Sequence, residues 1–574
     1  MIENVIQPHR DDANLQDYDT ACSRFTWDDA NREFSWSTTR KCNIAHEAID
    51  RHAEAPGRAL RRCVIYHHKS QRRDITYEQM RALSNRFGNV LRKAGIAKGD
   101  RVFLFMPRIP ELYIALAGCA KIGAVIAPLY SDFRADAVKE RMLDGRGKLL
   151  VTTPWHRARV PFDELPDLEH CIIAGGEPWD LRAGDLSWDR EMAAAPEELE
   201  PEWVPRDFPL LLVYTSGKDG RPVGLLHSHD AMRGYLVTAR WVLDLRDDDV
   251  LCTLARPGWL MNIVYSAFAP WLCGVESFIT GTMNTADDLY RLISGHGVSV
   301  LYTIPTVYRM LVAAGEGAAQ KFPRKRLRHL LSVLEPLFPD LFYAAMRVLG
   351  LPVYNTWWSA ETGMITIAQL PCLGIKPGSL GKPLPGITAA IIDSAGREVP
   401  PFHTGSLALQ SGWPAMTAGI WKNKTLYQQY TRMQPWFMTG DTAYVDHDNY
   451  FYHQGRCDDV LITSSGRIGM AEIANILGTH PAVAEAAVIR VADEGGARKL
   501  KAFIALKADY RPSRLIRGKI ISYVSNRLSP ADVPQDIRFC KQLPKDNDGR
   551  ILGIVLKAWE RGIPAGRYAP WTDA

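Results

Sequence analysis

"FPLLLVYTSGKDGRPVGLLHSHD", Phe208 to Asp230, joins an apolar run to a turn punctuated by glycine. Short apolar runs bounded by turn residues read as buried strands, and this one is predicted to end at Tyr214. Thr215, Ser216 and Gly217 then turn into a loop with further glycines at 220 and 224. Glycines let backbone N–H groups crowd an anion, and the two hydroxyls add donors, so the stretch reads as a phosphate cradle. A glycine-rich surface turn is the plainer alternative. "YTSG" lacks the G-x-S-x-G elbow, which makes Ser216 a phosphate-loop hydroxyl rather than a nucleophile.

On either side of this stretch, helical patterns lead into short buried strands. "TYEQMRALSNRFGNVLRKAG" precedes "DRVFLFMP", and "DDLYRLISGHG" leads into "VSVLYTIP". Helices alternating with short β-rich runs predict layered α/β subdomains around mainly parallel sheets. From 378 to 452 the texture changes to Gly- and Pro-rich pieces such as "ITAAIIDSAGREVPP" and "TGSLALQ", which predict a β-rich antiparallel subdomain. After "GRCDD" (455–459), a helix, two strands and another helix predict a small α+β domain. The expected division is an N-terminal domain over 1–457 and a C-terminal domain over 458–574, with a hinge near Asp458.

Composition narrows the function classes. The chain has 574 residues, 46% of them hydrophobic, and carries 69 basic and 64 acidic side chains for a net charge of +5. That balance argues against a dedicated nucleic-acid binder. Two basic clusters, "HHKSQRR" at 67–73 and "KFPRKRLRH" at 321–329, read as solvated faces or as docking sites for a polyanionic ligand or a partner. The 10 cysteines are scattered singly without a CxxC pair, which points to a reducing cytoplasm and away from a zinc site or disulfide framework. "MIENVIQPHRDD" lacks the apolar stretch of a secretion signal. The run "LYIALAGCAKIGAVIAPLY" at 112–130 is broken by Lys121, Gly123 and Pro128, so it predicts a helix and a short strand rather than a membrane span. His227 and His229 are the one histidine pair with metal-like spacing, and a strand–loop position is expected for them.

After the glycine loop come, in order, "LSVLEPLFPD", "YNTWWSAETG", "WFMTGDTAY", "YFYHQGRCDDVLITSSGRIGMAEI" and "PKDNDGRILG". This succession resembles the adenylate-forming (ANL) superfamily. "FSWSTTRKCNIAHEAIDRHAE", "SNRFGNVLRKAGIAKGDRVFLFMPRIPELY" and "KAWERGIPAG" resemble its AMP-forming acetyl-CoA synthetases, and the likeness runs from about residue 15 to 566. The resemblance implies a large N-terminal domain, a small mobile C-terminal domain, and a reaction in two halves. A small carboxylic acid is activated by ATP with Mg2+ to an acyl-adenylate, and CoA then takes the acyl group. It implies that Thr215, Ser216, Gly217 and Gly220 cradle phosphate, and that Glu335, Pro336, Asn355, Thr356 and Trp357 surround adenine. Asp441 would hold the ribose hydroxyls, and Arg456 and Arg467 would contact the nucleotide through ribose or phosphate. Glu361 would bind Mg2+, and Leu260, Met261, Val333 and Trp358 would line an acetate-sized acyl pocket.

Departures from the family pattern are as informative. Lys218–Asp219 replaces a hydroxyl pair, and Val223 a lysine. Leu334 stands where a glycine is expected, Ala360 has lost a hydroxyl, and "PGWLMN" (257–262) brings Leu260 and Met261 to the pocket. Ser465 replaces a glycine near the CoA path. Arg550 occupies the position of the lysine that bridges carboxylate and α-phosphate, and a broad guanidinium is a poor substitute for a compact ammonium. Lys545 lies nearby in sequence as a partial replacement. Together these changes predict an impaired or altered synthetase. The alternative is a non-catalytic paralogue acting as a binding or regulatory subunit with a protein partner.

Overall fold

The computed structural model describes residues 5–7, 12–176, 180–216, 222–281, 285–456, 460–463, 466–492, 498–528, 533–545 and 551–560. Gly217, Lys218, Asp219, Gly220, Asp458, Ser465 and Arg550 lie outside the described residues, as do the side chains of Ser216 and Arg467. The chain divides into two compact units, Met1–Ala389 with Leu409–Phe437, and Ala390–Ala408 with Met438–Ala574.

The first unit is built on two large, mostly parallel sheets. Among the described residues, the nine-stranded sheet has at its centre Val353–Trp357, His329–Ser332, Val300–Thr303, Val250–Thr253, Glu276–Ile279 and Arg62–His68, in that order. These neighbours pair in parallel, and antiparallel strands close both edges. The eight-stranded sheet runs through Pro222–Ser228, Pro209–Ser216, Val125–Pro128, Arg101–Phe105 and Leu149–Thr152. Strands such as Val300–Thr303 and Leu149–Thr152 are buried at every position. That is the demand a parallel sheet covered on both faces makes, and it explains why these segments read as continuous apolar runs.

The helices follow the expected sequence signals. Tyr77–Lys93 begins at Thr76, whose hydroxyl caps the N–H of Gln79 while the Gln79 side chain returns to the Thr76 N–H. It buries Tyr77, Met80, Ser84, Phe87 and Leu91, a stripe at i, i+3, i+7, i+10 and i+14. The 112–130 run resolves into a helix at Pro110–Lys121 and a strand at Val125–Pro128. Lys121 is buried, with its ammonium 2.6 Å from Asp50 and 2.5 Å from the Asn85 side-chain oxygen. No described helix is long and apolar enough to cross a membrane. The basic clusters are partly neutralised from within: Arg72 lies 2.8 Å from Asp74, Arg73 2.8 Å from Glu111, and Arg328 2.9 Å from Asp244.

The second unit contains a four-stranded sheet in the order Ala389–Ile392, Gly405–Gln410, Trp436–Val445, Phe451–Arg456, and a separate three-stranded sheet. In the latter, Val483–Ala492 pairs antiparallel with Arg498–Leu506, which pairs in parallel with Asp536–Cys540. Alternation along the middle strand sends Leu500, Ala502 and Ile504 into a core with Ile473, Leu477, Ile520 and Val524. Phe503 points the other way, into a core with Leu556 and Trp559. Two helices, Met470–Gly478 and Arg514–Ser525, therefore cover one face, and Gly553–Glu560 covers the other.

One boundary differs from the sequence reading. The strand predicted to stop at Tyr214 continues to Ser216, because Pro222–Ser228 pairs with it antiparallel, Thr215 opposite Val223 and Ser216 opposite Pro222.

Candidate active site

In an open sheet of parallel strands, the loops leaving the carboxyl ends form the natural ligand crevice. Three adjacent strands of the nine-stranded sheet end in register, with Thr303 opposite Ser332 and Ser332 opposite Asn355. From this edge spring the loop at 333–336, the segment Trp358–Gly363, and the turn that begins the helix Pro305–Ala313. Val333, Glu335, Pro336, Asn355, Thr356, Trp357, Trp358 and Glu361 are thereby brought to one edge.

Trp358 is fixed by a chain of hydrogen bonds on one side and by a ring contact on the other. Its indole N–H donates to the Tyr302 hydroxyl at 3.0 Å. Tyr302 in turn lies 2.9 Å from the Thr356 hydroxyl, which donates to the Ser332 carbonyl at 2.8 Å. The Tyr265 ring meets the indole edge-on at 5.3 Å. The Tyr265 hydroxyl accepts from the Ile365 N–H at 3.0 Å and donates to Thr238 at 3.2 Å. Leu260 and Met261 are buried in a helical turn that starts after Trp259. The next residue, Asn262, donates to the Tyr113 hydroxyl at 3.0 Å and lies 3.3 Å from Ser266.

The loop at 333–336 is held differently. The Glu335 N–H bonds the Val333 carbonyl at 3.0 Å across Leu334, whose φ is +76°. This is a γ-turn of the strained, positive-φ kind, and it is rare for a side chain larger than glycine. Leu334 is 41% exposed while Val333 is buried. The Glu335 carboxylate accepts from the Thr306 hydroxyl at 2.8 and 2.9 Å and from Arg309 at 3.2 Å. Asn355 donates its amide to the Ser379 carbonyl at 3.0 Å, and Trp357 is buried at the strand end.

Glu361 sits on a tight turn. Ser359 and Thr362 bond each other's backbone N–H through their hydroxyls, at 2.9 and 3.3 Å. The Thr417 N–H reaches the Glu361 carbonyl at 2.9 Å, and the Trp413 indole reaches the Thr362 carbonyl at 2.8 Å. Gly363, at φ +72°, lies so close to this segment that a Cβ there would stand 1.9 Å from the Ala415 carbonyl oxygen. Only glycine meets both conditions. The Glu361 carboxylate is part-exposed and touches the Tyr430 hydroxyl at 3.4 Å, and it has no cationic partner among the described residues. A lone, hard, uncompensated oxygen donor suits Mg2+, which takes one or two carboxylates and fills its shell with water and phosphate. The described residues contain no group of three or more metal-binding side chains.

His227, on the strand Pro222–Ser228, lies under this turn. It is fully buried, and burial lowers it to about 4, so its ring is neutral at pH 7. His229, just beyond the strand, is buried as well, accepts the Ile44 N–H at 3.2 Å, and is lowered to about 3 by the same cause.

In the second unit, Asp441 and Arg456 face each other across the antiparallel pair of Trp436–Val445 and Phe451–Arg456. Arg456 donates to Asp441 at 3.0 Å, and His453 approaches the other carboxylate oxygen at 3.3 Å. Arg467 lies on the strand Gly466–Gly469. The Lys545 ammonium is paired with Glu485.

Sequence reasoning missed Tyr302, Tyr265, Thr306 and Tyr430, and it singled out His227 only for its spacing to His229, not for its place beside the Glu361 turn. Their partners are remote in the chain: 56 residues separate Tyr302 from Trp358, and 188 separate His227 from Ala415. No spacing rule could have found them.

With this geometry in hand, comparison with known proteins adds the following. Residues 50–421 match the AMP-binding enzyme family, and residues 472–550 match the AMP-binding enzyme C-terminal domain. The chain is 42% identical to the acetyl-coenzyme A synthetase of Bacillus subtilis (strain 168), over 98% of each. It is 34% identical to that of Methanothrix thermoacetophila, over 92% of this chain and 85% of the relative. Among solved structures, an anthranilate CoA ligase in complex with anthranoyl-AMP superposes with a TM-score of 0.82 at 27% identity, covering 92% of this chain and 98% of that one. A Brucella canis acyl-CoA synthetase gives 0.74 at 30% identity, covering 94% and 98%.

Proposed function

This chain belongs to the AMP-binding enzyme family, within the adenylate-forming superfamily and alongside the acetyl-CoA synthetases, and on that premise we propose that it is an AMP-forming acyl-CoA synthetase for acetate or another very small carboxylic acid. The observation that carries this reading is the fixing of Trp358 by Tyr302 and Tyr265 at the same strand edge as Glu361. An indole pinned on two sides cannot swing aside for a long acyl chain, and Leu260, Met261 and Val333, which the resemblance assigns to the same pocket, are buried apolar side chains.

In the first half-reaction a carboxylate oxygen of the acid attacks the α-phosphorus of ATP. The bond to the β-phosphate bridging oxygen breaks, and pyrophosphate leaves with its electron pair. In the second, the CoA thiol gives up its proton and attacks the acyl carbon, and AMP departs. Catalysis of this kind is mostly positioning and charge neutralisation. Thr215, Ser216, Gly217 and Gly220 cradle phosphate oxygens; Asp441 accepts from the ribose hydroxyls, and Arg456 holds ribose or phosphate. Glu335, Pro336, Asn355, Thr356 and Trp357 surround the base. Glu361 would hold Mg2+, which when bound neutralises triphosphate charge. Arg467 and Arg550 supply fixed cations, with Arg550 in place of a compact ammonium slowing the first half-reaction. The region 458–574 turns about a hinge near Asp458 between the two halves.

The test is pyrophosphate release from ATP by the purified chain with acetate, propionate and longer acids. Release with the short acids alone is expected, and Arg550→Lys is expected to raise the rate. A thermal melt with ATP separates this from a non-catalytic subunit: at a hundredfold over its Kd, ATP would stabilise the fold by roughly 2.7 kcal/mol. No shift, no release and a copurifying protein would overturn the synthetase reading.

A further inference from the structure

His227 is a buried polar side chain that the reaction above does not use. Its Nδ1 lies 3.3 Å from the Ala415 carbonyl, and the ring also interacts with the backbone of Ala360, the residue before Glu361, although its buried Nε2 makes no well-aligned hydrogen bond. The ring carbon between the two nitrogens would stand 3.0 Å from a Cβ at Gly363. The imidazole is therefore wedged between the Ala415 backbone and the turn that carries Glu361. The same strand makes further bonds to this segment: the Leu226 carbonyl accepts from the Ala418 N–H at 2.8 Å and the Thr417 hydroxyl at 3.1 Å. Thr417 in turn holds the Glu361 carbonyl at 2.9 Å.

Three pieces of chain are thus linked in series. The strand Pro222–Ser228 is the return leg of the glycine-rich hairpin, 413–418 is the connector, and 359–363 bears the carboxylate. We propose that His227 is a positioning residue that braces the Glu361 turn, through Ala415, against the phosphate hairpin, so that the metal-binding carboxylate keeps a fixed position relative to the triphosphate. The inference rests on the proposed role of Glu361 and deepens it. A side chain that orients a metal ligand from behind is worth about ten- to a hundredfold in metal affinity. The sequence around His227 gave no sign of this, because the ring acts on a turn more than a hundred residues away.

The experiment uses the full chain with Mn2+ as a spectroscopic stand-in for Mg2+. Binding of Mn2+ in the presence of ATP is titrated by electron paramagnetic resonance for wild type, His227→Leu and His227→Gln, alongside steady-state pyrophosphate release. For His227→Leu the expected results are Mn2+ affinity lower by about tenfold and a KM for metal–ATP raised in step, with the KM for the acid unchanged. His227→Gln, which restores an N–H donor of similar reach, should recover most of the loss. If the leucine variant fails to fold, His227→Asn serves instead, since its shorter amide falls short of the Ala415 carbonyl. A folded variant lacking the N–H that binds Mn2+ as wild type does overturns the brace and leaves the synthetase reading standing. A wild-type chain that binds no Mn2+ with ATP overturns both.

Discussion

Trp358 and Leu334 share one strand edge but are held by different means. Trp358 is fixed through side chains: the Tyr302 phenol and the Thr356 hydroxyl pass its hydrogen bond along to the Ser332 carbonyl, and the Tyr265 ring packs edge-on against the indole. Leu334 and the Glu361 turn are fixed through backbone: a γ-turn at φ +76°, and a glycine pressed against the Ala415 carbonyl. On the proposed acyl side, identity of the side chain is what keeps the site in shape. On the proposed nucleotide side the path of the chain does that work, so a changed side chain leaves the path in place. Leu334 holds the positive φ although it is no glycine, and the Ser359–Thr362 turn closes around Ala360 without the hydroxyl expected there.

The comparison is broken most forcefully at Gly363. Gly363→Ala puts a methyl 1.9 Å from a backbone oxygen and a side chain at φ +72°. A loss of about 3 kcal/mol in chemical denaturation is expected, with pyrophosphate release falling as the Glu361 turn is displaced. A variant as stable and active as wild type would mean that the backbone on this side yields easily. On the other side, Tyr302→Phe leaves the ring and removes the hydroxyl at the centre of the chain. The Trp358 N–H is then buried without an acceptor, which costs about 2 kcal/mol by urea titration. The loss should reappear as weaker discrimination between acetate and longer acids, because the indole is freed.

The two histidines behind the hairpin sharpen the contrast in another way. His229 is lowered from 6.5 to about 3 by burial. The unfolded chain therefore binds more protons than the folded one between these values. Stability from this group is fully present above pH 6.5 and declines as the pH falls through that window. His229→Gln, which can still accept the Ile44 N–H, should reduce the slope of unfolding free energy against pH by about 1.4 kcal/mol per pH unit. Denaturant titrations on either side of the window read this directly, and an unchanged slope would mean the ring is protonated in the fold.

What the sequence made legible was periodicity and order. Alternating helix and strand patterns gave the parallel α/β body, since a strand buried on both faces must be an apolar run. The small α+β region after 459 was legible for the same reason, with Phe503 and Ile504 on opposite faces of one strand. The break in the 112–130 run was legible, but Lys121 read as a break in an apolar run, whereas it is buried on Asp50. Partners chosen across long loops left no trace. The extension of the first hairpin strand to Ser216 needed Val223 and Pro222 as partners, and the braces on Trp358 and Glu361 come from segments that only folding brings near. Similarity to the synthetases supplied which residues to watch at the site; the hydrogen bonds that hold them required coordinates.

Leu334 gives the finest discrimination between the two sides. A leucine at positive φ carries about 1–2 kcal/mol of backbone strain, and at 41% exposure its side chain returns only part of the usual burial energy. Leu334→Gly should therefore raise stability by about 1 kcal/mol after the extra chain entropy of glycine is subtracted. Leu334→Ala should not, because alanine pays the same penalty for its Cβ. If backbone path governs this loop, both variants keep the γ-turn and bind ATP with affinities close to each other, measured by calorimetry. If the glycine variant is instead less stable than wild type, the leucine side chain is a packing element, and the nucleotide side is held by side chains after all.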